Sequence, residues 1–289
     1  MGLYHQPLFL FFRLLFVLLY KISRSLNMNI RFMLVVYFML LPAILICQPE
    51  TGLNKTDPSG KKQGQWIKRA PDNTVIYEGF FKDNYPVGEF KRYYDDGTLR
   101  SVLNYSDNGN TADARIYHQN GYLAATGRYI NRKKEGLWQF YSEITNGYRV
   151  SEEMYSGNIR HGISVKLYPD GTIAEKINYV NDTAQGEWVK HYANGNICLK
   201  SNLLDGKING KFEAWFENGN LQFSGEYVND KREGTWYVYE KDGTLKYKME
   251  YSKGFTSDRR MDLDSSDYLD SLEQNKGKIP DPEKTGAKW

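Results

Sequence analysis

The stretch Gly210–Lys253, GKFEAWFENGNLQFSGEYVNDKREGTWYVYEKDGTLKYKMEYSK, states one unit twice. Each copy opens on Gly, carries an aromatic two residues later and an Asn-Gly or Asp-Gly pair eight and nine residues later. A second aromatic stands at the seventeenth position, before a polar link to the next Gly. A fixed period of this kind has to be read before any single element, because it governs the whole fold.

Outward from that stretch the unit recurs from Gly64 to Gly254. The opening glycines are Gly64, Gly88, Gly136, Gly162, Gly186, Gly210 and Gly234, with Ala112 once in their place. They are 24 residues apart except for the 26 between Gly136 and Gly162. The early aromatic column reads Trp66, Phe90, Trp138, Trp188, Phe212 and Trp236, broken by Ala114 and Ser164. The late column reads Phe81, Tyr105, Tyr129, Tyr155, Tyr179, Leu203, Tyr227 and Tyr251.

An Asx-Gly pair between two alternating runs is a strong hairpin signal, since a type I′ turn needs positive φ at both central residues. Each unit is therefore expected to be a hairpin of two strands of usual length, rich in side chains that suit a pleated surface. The polar links, such as Asn229–Glu233, join successive hairpins. The expectation is an all-β, elongated single-layer antiparallel β-meander of about eight 24-residue hairpin repeats, with about sixteen strands. A two-residue turn fixes the register: Tyr239 is expected to face Lys246, Val238 Tyr247, Trp236 Met249, and Gly234 Tyr251. One face then carries Trp236, Val238, Tyr247, Met249 and Tyr251, and in the second unit Phe90, Tyr94, Leu99, Leu103 and Tyr105. Each late Tyr is expected to lie over the bare backbone of the opening Gly it faces. Curling of the sheet, dimerisation or tiling by its own rings would each cover the apolar face. A bend or bulge is expected in the repeat from Gly136 to Gly162.

The other face is polar, with Lys246, Lys248 and Glu250 in the last unit and Arg100 and Asn104 in the second. A further column, five residues after the opening Gly, interrupts it: Tyr93, Tyr117, Tyr141, His191, Trp215 and Tyr239. These six form the candidate ladder for an extended ligand or protein partner. The plainer alternative is that cross-strand aromatics stabilise a thin sheet.

Four segments follow: residues 1–47 as a signal peptide or N-terminal anchor, with a possible true start at Met28; 48–63 as a linker; 64–257 as the repeat array; 258–289 as an acidic, disordered tail. Arg13, Lys21, Arg24 and Arg31 lie in the leader, so the formal charge of +3 becomes 34 against 35, or −1, without it. That balance lacks the basic footprint of a nucleic-acid binder. Beyond Cys47, itself a candidate for lipidation, only Cys198 remains, so packing alone must hold the fold. His118, His161 and His191 fall in different repeats without metal-binding spacing, and Asp96, Asp170 and Asp242 have a turn role. No catalytic residue, cofactor or metal site is expected.

The recurring Gly-x-Trp-x-x-Tyr, Asx-Gly, late Tyr and Asn-x-Lys-x-x-Gly, as in Gly234–Lys253 and Gly186–Gly210, resembles the variant MORN repeats of bacterial proteins labelled YwqK-type antitoxins. The resemblance covers about two thirds of the chain. It implies a single-layer meander and a binding or scaffolding role. The expectation is a non-enzymatic exported scaffold or antitoxin-like binder at the cell envelope, its partner an unidentified protein such as a toxin. Membrane contact is expected only through the N-terminal segment. The alternative is a glycan or cell-wall binder, since the Gly-x-Trp-Tyr hairpins also resemble choline-binding wall repeats.

Overall fold

The computed structural model describes residues 52–144, 147–258 and 260. The chain divides into two compact units, Met1–Leu53 and Asn54–Trp289. The leader 1–47, Cys47 and nearly all of the tail lie outside the described residues. Within Asn54–Trp289 the described chain is one 18-stranded antiparallel sheet, from Lys55–Thr56 to Leu245–Tyr251. Each strand pairs with its neighbours in sequence. The meander is the expected one. Two strands are added to the expected sixteen because Lys55–Thr56 pairs on one edge and one strand is broken into Lys207–Ile208 and Gly210–Trp215.

The two kinds of turn are exchanged relative to expectation. At the Asx-Gly end only the glycines have positive φ, +83° at Gly97 and +92° at Gly243. Glu240 N–H donates to the Thr244 carbonyl and Gly243 N–H to that of Glu240, both at 2.8 Å. This is a three-residue loop, a type I turn closed by a left-handed Gly with a bulge. The cause is the Asx side chain. Asp242 Oδ1 accepts from Thr244 N–H at 2.9 Å, as Asp96 does from Thr98 and Asn218 from Asn220, which holds the Asx in ordinary φ and leaves only Gly left-handed. Consequently the expected register holds from Gly234–Tyr251 to Val238–Tyr247, but Tyr239 faces Leu245 instead of Lys246. The true type I′ turns lie in the polar links: Asp83-Asn84 (φ 53°, 71°), Asn131-Arg132 (51°, 64°), Asn181-Asp182 (51°, 63°) and Asn229-Asp230 (51°, 64°).

The opening Gly has a different reason from the expected one. Gly88 and Gly234 have φ of +66° and +67°, and a Cβ on either would meet nothing within 4 Å, so no Tyr ring covers them. They sit where the strand carries two surplus residues: Gly79 faces Phe90 while Phe80 faces Val87. The covered glycines are Gly79, Gly127 and Gly225, where a Cβ would lie 2.2–2.3 Å from the ring of Phe90, Trp138 or Trp236. Aromatic rescue of a strand glycine therefore does occur, one column away from where it is expected.

The inner face covers itself within one chain. Trp138, Trp188, Phe212, Phe223 and Trp236 have no exposed surface. Phe212, Tyr227 and Tyr251 each place a ring within 5.1–6.1 Å of Trp236. Cations two residues before the opening Gly close the stack: Lys134 lies 4.9 Å from the Trp138 ring, Arg160 4.1 Å from Tyr179, Arg232 5.4 Å from Trp236. The type I′ turns fold back to hold these segments. Asn158 accepts from Lys134 N–H at 2.5 Å, Asp182 from Arg160 N–H at 3.0 Å, Asp230 from Ile208 N–H at 2.6 Å.

Two apolar clusters result, one from Ala114 to Tyr155 and one from Ile177 to Tyr251. Between them the inner face is polar and buried, with Ser151, Glu153, Ser164 and Glu175. The two inserted residues of the long repeat enlarge its turn, closed by Ser142 N–H to the Tyr148 carbonyl at 2.8 Å, and leave Gly136 facing Tyr155 as in other copies. The copy that departs most is the one opening on Ala112. Its ladder runs without a register shift, from Ser101 facing Ile116 to Ser106 facing Thr111. Ala has no cheap access to positive φ, so the strand stays straight and the two surplus residues pass into the loop, where Asp107, Asn108 and Gly109 take positive φ of 49°, 50° and 80°.

Candidate functional site

The six residues of the expected ladder lie one per repeat on the face opposite Trp236 and Val238, each next to the Asx-Gly turn and each half-buried. Each ends its strand by facing an apolar or long side chain across the bulge, as Tyr93 faces Leu99, His191 faces Ile197 and Trp215 faces Leu221. Tyr93 donates its hydroxyl to Glu78 Oε1 at 2.6 Å, and Tyr141 to Gln139 Oε1 at 3.3 Å. His191 Nδ1 is buried without a hydrogen-bond partner. Among the described residues the ring–ring contacts belong to the inner face, such as Phe212 with Trp236, and none joins two of the six. The six therefore offer separate ring surfaces at the spacing of the repeat.

Their backbone is held by a column that the sequence reading passed over, six residues after the opening Gly. Tyr94 donates its hydroxyl to the Tyr117 carbonyl at 2.6 Å, Tyr168 to that of His191 at 2.7 Å, and Tyr192 to that of Trp215 at 2.6 Å. His118 Nε2 lies 3.1 Å from the Tyr141 carbonyl. Each ladder residue concerned is thus fixed by a side chain of the preceding repeat. The signal was legible as the second aromatic of Tyr93-Tyr94 and its counterparts Tyr168 and Tyr192. Turn asparagines add a second row: Asn120 donates to the Glu143 carbonyl at 2.8 Å and Asn218 to that of Lys241 at 2.8 Å. Asp cannot donate in this way, which separates the roles of Asn-Gly and Asp-Gly turns.

Burial, with the hydrogen bond to Glu78 next, pushes the Tyr93 hydroxyl up to about 12 from its ordinary 10.0. Because the folded value lies above the unfolded one, this stabilising contribution is complete below about pH 10 and is lost as pH rises through about 12. Tyr93 is expected to ionise about two pH units above an exposed tyrosine in a spectrophotometric tyrosinate titration, and Tyr93→Phe to remove one tyrosine's amplitude near pH 12. Amplitude lost near pH 10 instead would show that Tyr93 is not held by Glu78.

Among the described residues no group of three or more His, Cys, Asp and Glu side chains is placed to hold a metal ion. Arg100 and Lys246, expected on the polar face, occupy the bulge positions, and Arg100 turns to the inner side, 5.8 Å from the Tyr94 ring.

The MORN repeat variant family model matches the chain at residues 86–107, 160–181, 208–229 and 232–253. Each match begins two residues before an opening Gly and spans one hairpin, so the matched period and the structural one coincide. No curated protein matches the chain. Among solved structures, the chain is similar to one titled "Crystal Structure of TarM", at 13% identity and a TM-score of 0.26, over 34% of this chain and 19% of that one. It is similar to another titled "Crystal Structure of TcdB2-TccC3-Cdc42", at 12% identity and a TM-score of 0.20, over 69% of this chain and 12% of that one. The chain spans less than about a fifth of the length of either structure.

Proposed function

We propose that this MORN-variant repeat protein is a non-enzymatic interaction scaffold, exported to the cell envelope, that binds a protein partner in an antitoxin-like manner. The observation that carries the reading is the ladder: six half-buried rings, one in each of six repeats and on one face, with the backbone of four of them, Tyr117, Tyr141, His191 and Trp215, fixed by the preceding repeat. Repetition makes such a face wide, and neighbouring rings add their contributions on one partner. Export rests on the apolar, basic-flanked leader in residues 1–47.

The test is capture from the native envelope by residues 48–289, which contain the whole second unit. Beside it stands a variant with Tyr117→Ser, Trp215→Ser and Tyr239→Ser, with circular dichroism confirming that both are folded. A specific protein captured by the first and at least tenfold reduced with the second is the expected result. Equal capture by both sinks the ladder as the contact surface. The separation of the six rings also favours a second reading, a glycan or wall binder, in which each ring stacks on one sugar. Quenching of tryptophan fluorescence by wall fragments, lost in Trp215→Ser, would select it.

A further inference from the structure

The inner face carries a cavity that the ladder does not explain. It spans the repeats that open on Gly88 and Ala112. The loop over Asp107–Gly109 and the straight ladder beside it leave this space open, with a volume of about 1040 Å³. Its apolar walls include Phe90, Tyr105 and Tyr129, and three guanidinium groups line it: Arg92, Arg100 and Arg132. None of the described residues lining it is Asp or Glu.

Arg92 and Arg132, in a concavity whose described lining holds no Asp or Glu, give a local positive charge in a region whose overall balance is nearly neutral. The Arg92 guanidinium lies 6.0 Å from the Phe90 ring. Burial pushes the Tyr105 phenol up, and the positive charges of Arg92 and Arg132, which line the same cavity, oppose that rise. Guanidinium groups match the paired oxygens of phosphate and carboxylate, and stack on flat rings.

We propose that this cavity binds a small organic anion, a flat apolar body carrying a phosphate or a pair of carboxylates. The apolar walls take the body and the arginines take the acidic oxygens. The volume is that of a pocket for a small ligand, about 300–1,000 Å³. An extended acidic peptide fits less well, because it would have to run on past positions where Phe90 (5% exposed) and Trp138 (0%) already fill the groove. The site is on the face opposite the ladder and independent of it.

The experiment is isothermal titration of residues 48–289 with phenyl phosphate, with phenol and inorganic phosphate as its separate halves. Phthalate serves as the dicarboxylate arm. Saturable binding is expected for phenyl phosphate or phthalate, at least tenfold tighter than for either half and weakened by added salt. The stronger of the two arms identifies the acidic group. Arg92→Gln with Arg132→Gln, both exposed positions, should weaken it at least tenfold with the dichroism spectrum unchanged. The Tyr117, Trp215 and Tyr239 variant should bind as the parent does. Absence of binding by both arms, or binding indifferent to the arginines, overturns the proposal. So does binding of a peptide spanning residues 261–274 in their place, which would mark an extended docking groove.

Discussion

Gly127→Ala is expected to destabilise the protein by about 3 kcal/mol or more, although it adds one methyl group. The new Cβ would lie 2.3 Å from Cδ2 and Cε2 of Trp138. The ring cannot withdraw, because its indole N–H donates to the Arg128 carbonyl at 3.2 Å, Tyr129 packs at 4.8 Å, and Lys134 lies over it. Trp138→Ala should cost about 3–5 kcal/mol by itself, as a large ring leaves a full cavity. The double substitution should cost less than the sum, since the methyl then enters vacated space, and a double-mutant cycle by urea denaturation reads the coupling. Gly136→Ala provides the contrast. Its Cβ would meet nothing within 4 Å, and only the φ of +69° is strained, for about 1–2 kcal/mol. Equal costs at Gly127 and Gly136 would refute the separation of the two glycine columns.

Glu175→Ala should have an effect of similar size, about 3–5 kcal/mol, through charge instead of volume. Glu175 is 4% exposed. It accepts from the Trp188 indole at 2.9 Å and lies 3.3 Å from the Lys166 ammonium and 3.7 Å from that of Lys190. Burial holds the Lys190 ammonium below its ordinary 10.5, and Glu175 is what chiefly opposes that burial. Without the carboxylate, Lys190 falls further. A lysine whose folded value is below the unfolded one binds fewer protons folded than unfolded, so stability rises with pH up to the unfolded value near 10.5. The deficit of Glu175→Ala relative to the parent should therefore shrink between pH 7 and pH 10. Glu175→Met with Lys190→Met should recover much of it. A deficit that stays constant with pH would show that the lost contacts, not the stranded ammonium, dominate.

The period and the alternation made most of the architecture legible. Strand residues alternate between faces, so Trp236, Val238, Met249 and Tyr251 could be assigned to the core from the sequence, and all four are buried. What misled was chemistry shared by two turn types. Asn and Asp tolerate positive φ, yet they also bind the N–H two residues on, and in the Asx-Gly loops that second property prevails. The resulting one-residue bulge moved Arg100 from the expected polar face to the inner cavity. Glycine was ambiguous in the same way. Gly88 serves a backbone angle and Gly79 a close approach, and the letter does not distinguish them. The expected irregularity followed chain length, at Gly136–Gly162, but a surface turn absorbs added length easily. A lost positive φ at Ala112 cannot be absorbed where it occurs. The candidate ladder could be placed residue by residue, whereas the arginine-lined cavity depends on Arg100 at a bulge and on a displaced surplus in the loop at Gly109 and Asn110, which only the folded chain brings together.

The stitches between repeats have a consequence for how such a chain changes in length. Donor and acceptor are 23 residues apart for Tyr94 and Tyr117, Tyr192 and Trp215, or Asn218 and Lys241, and 22 for Arg160 and Asp182. Like cells of a one-dimensional crystal, the units repeat the same contacts at each step along the chain. Excising one whole period would leave each donor opposite an equivalent acceptor, and duplicating one would supply both at once. Array length is thus a quantity that recombination can alter without compensating mutations. Among the described residues the edge pairings, Lys55–Thr56 at one end and the Ser252–Phe255 bridge at the other, and the copy opening on Ala112 are not interchangeable with the rest.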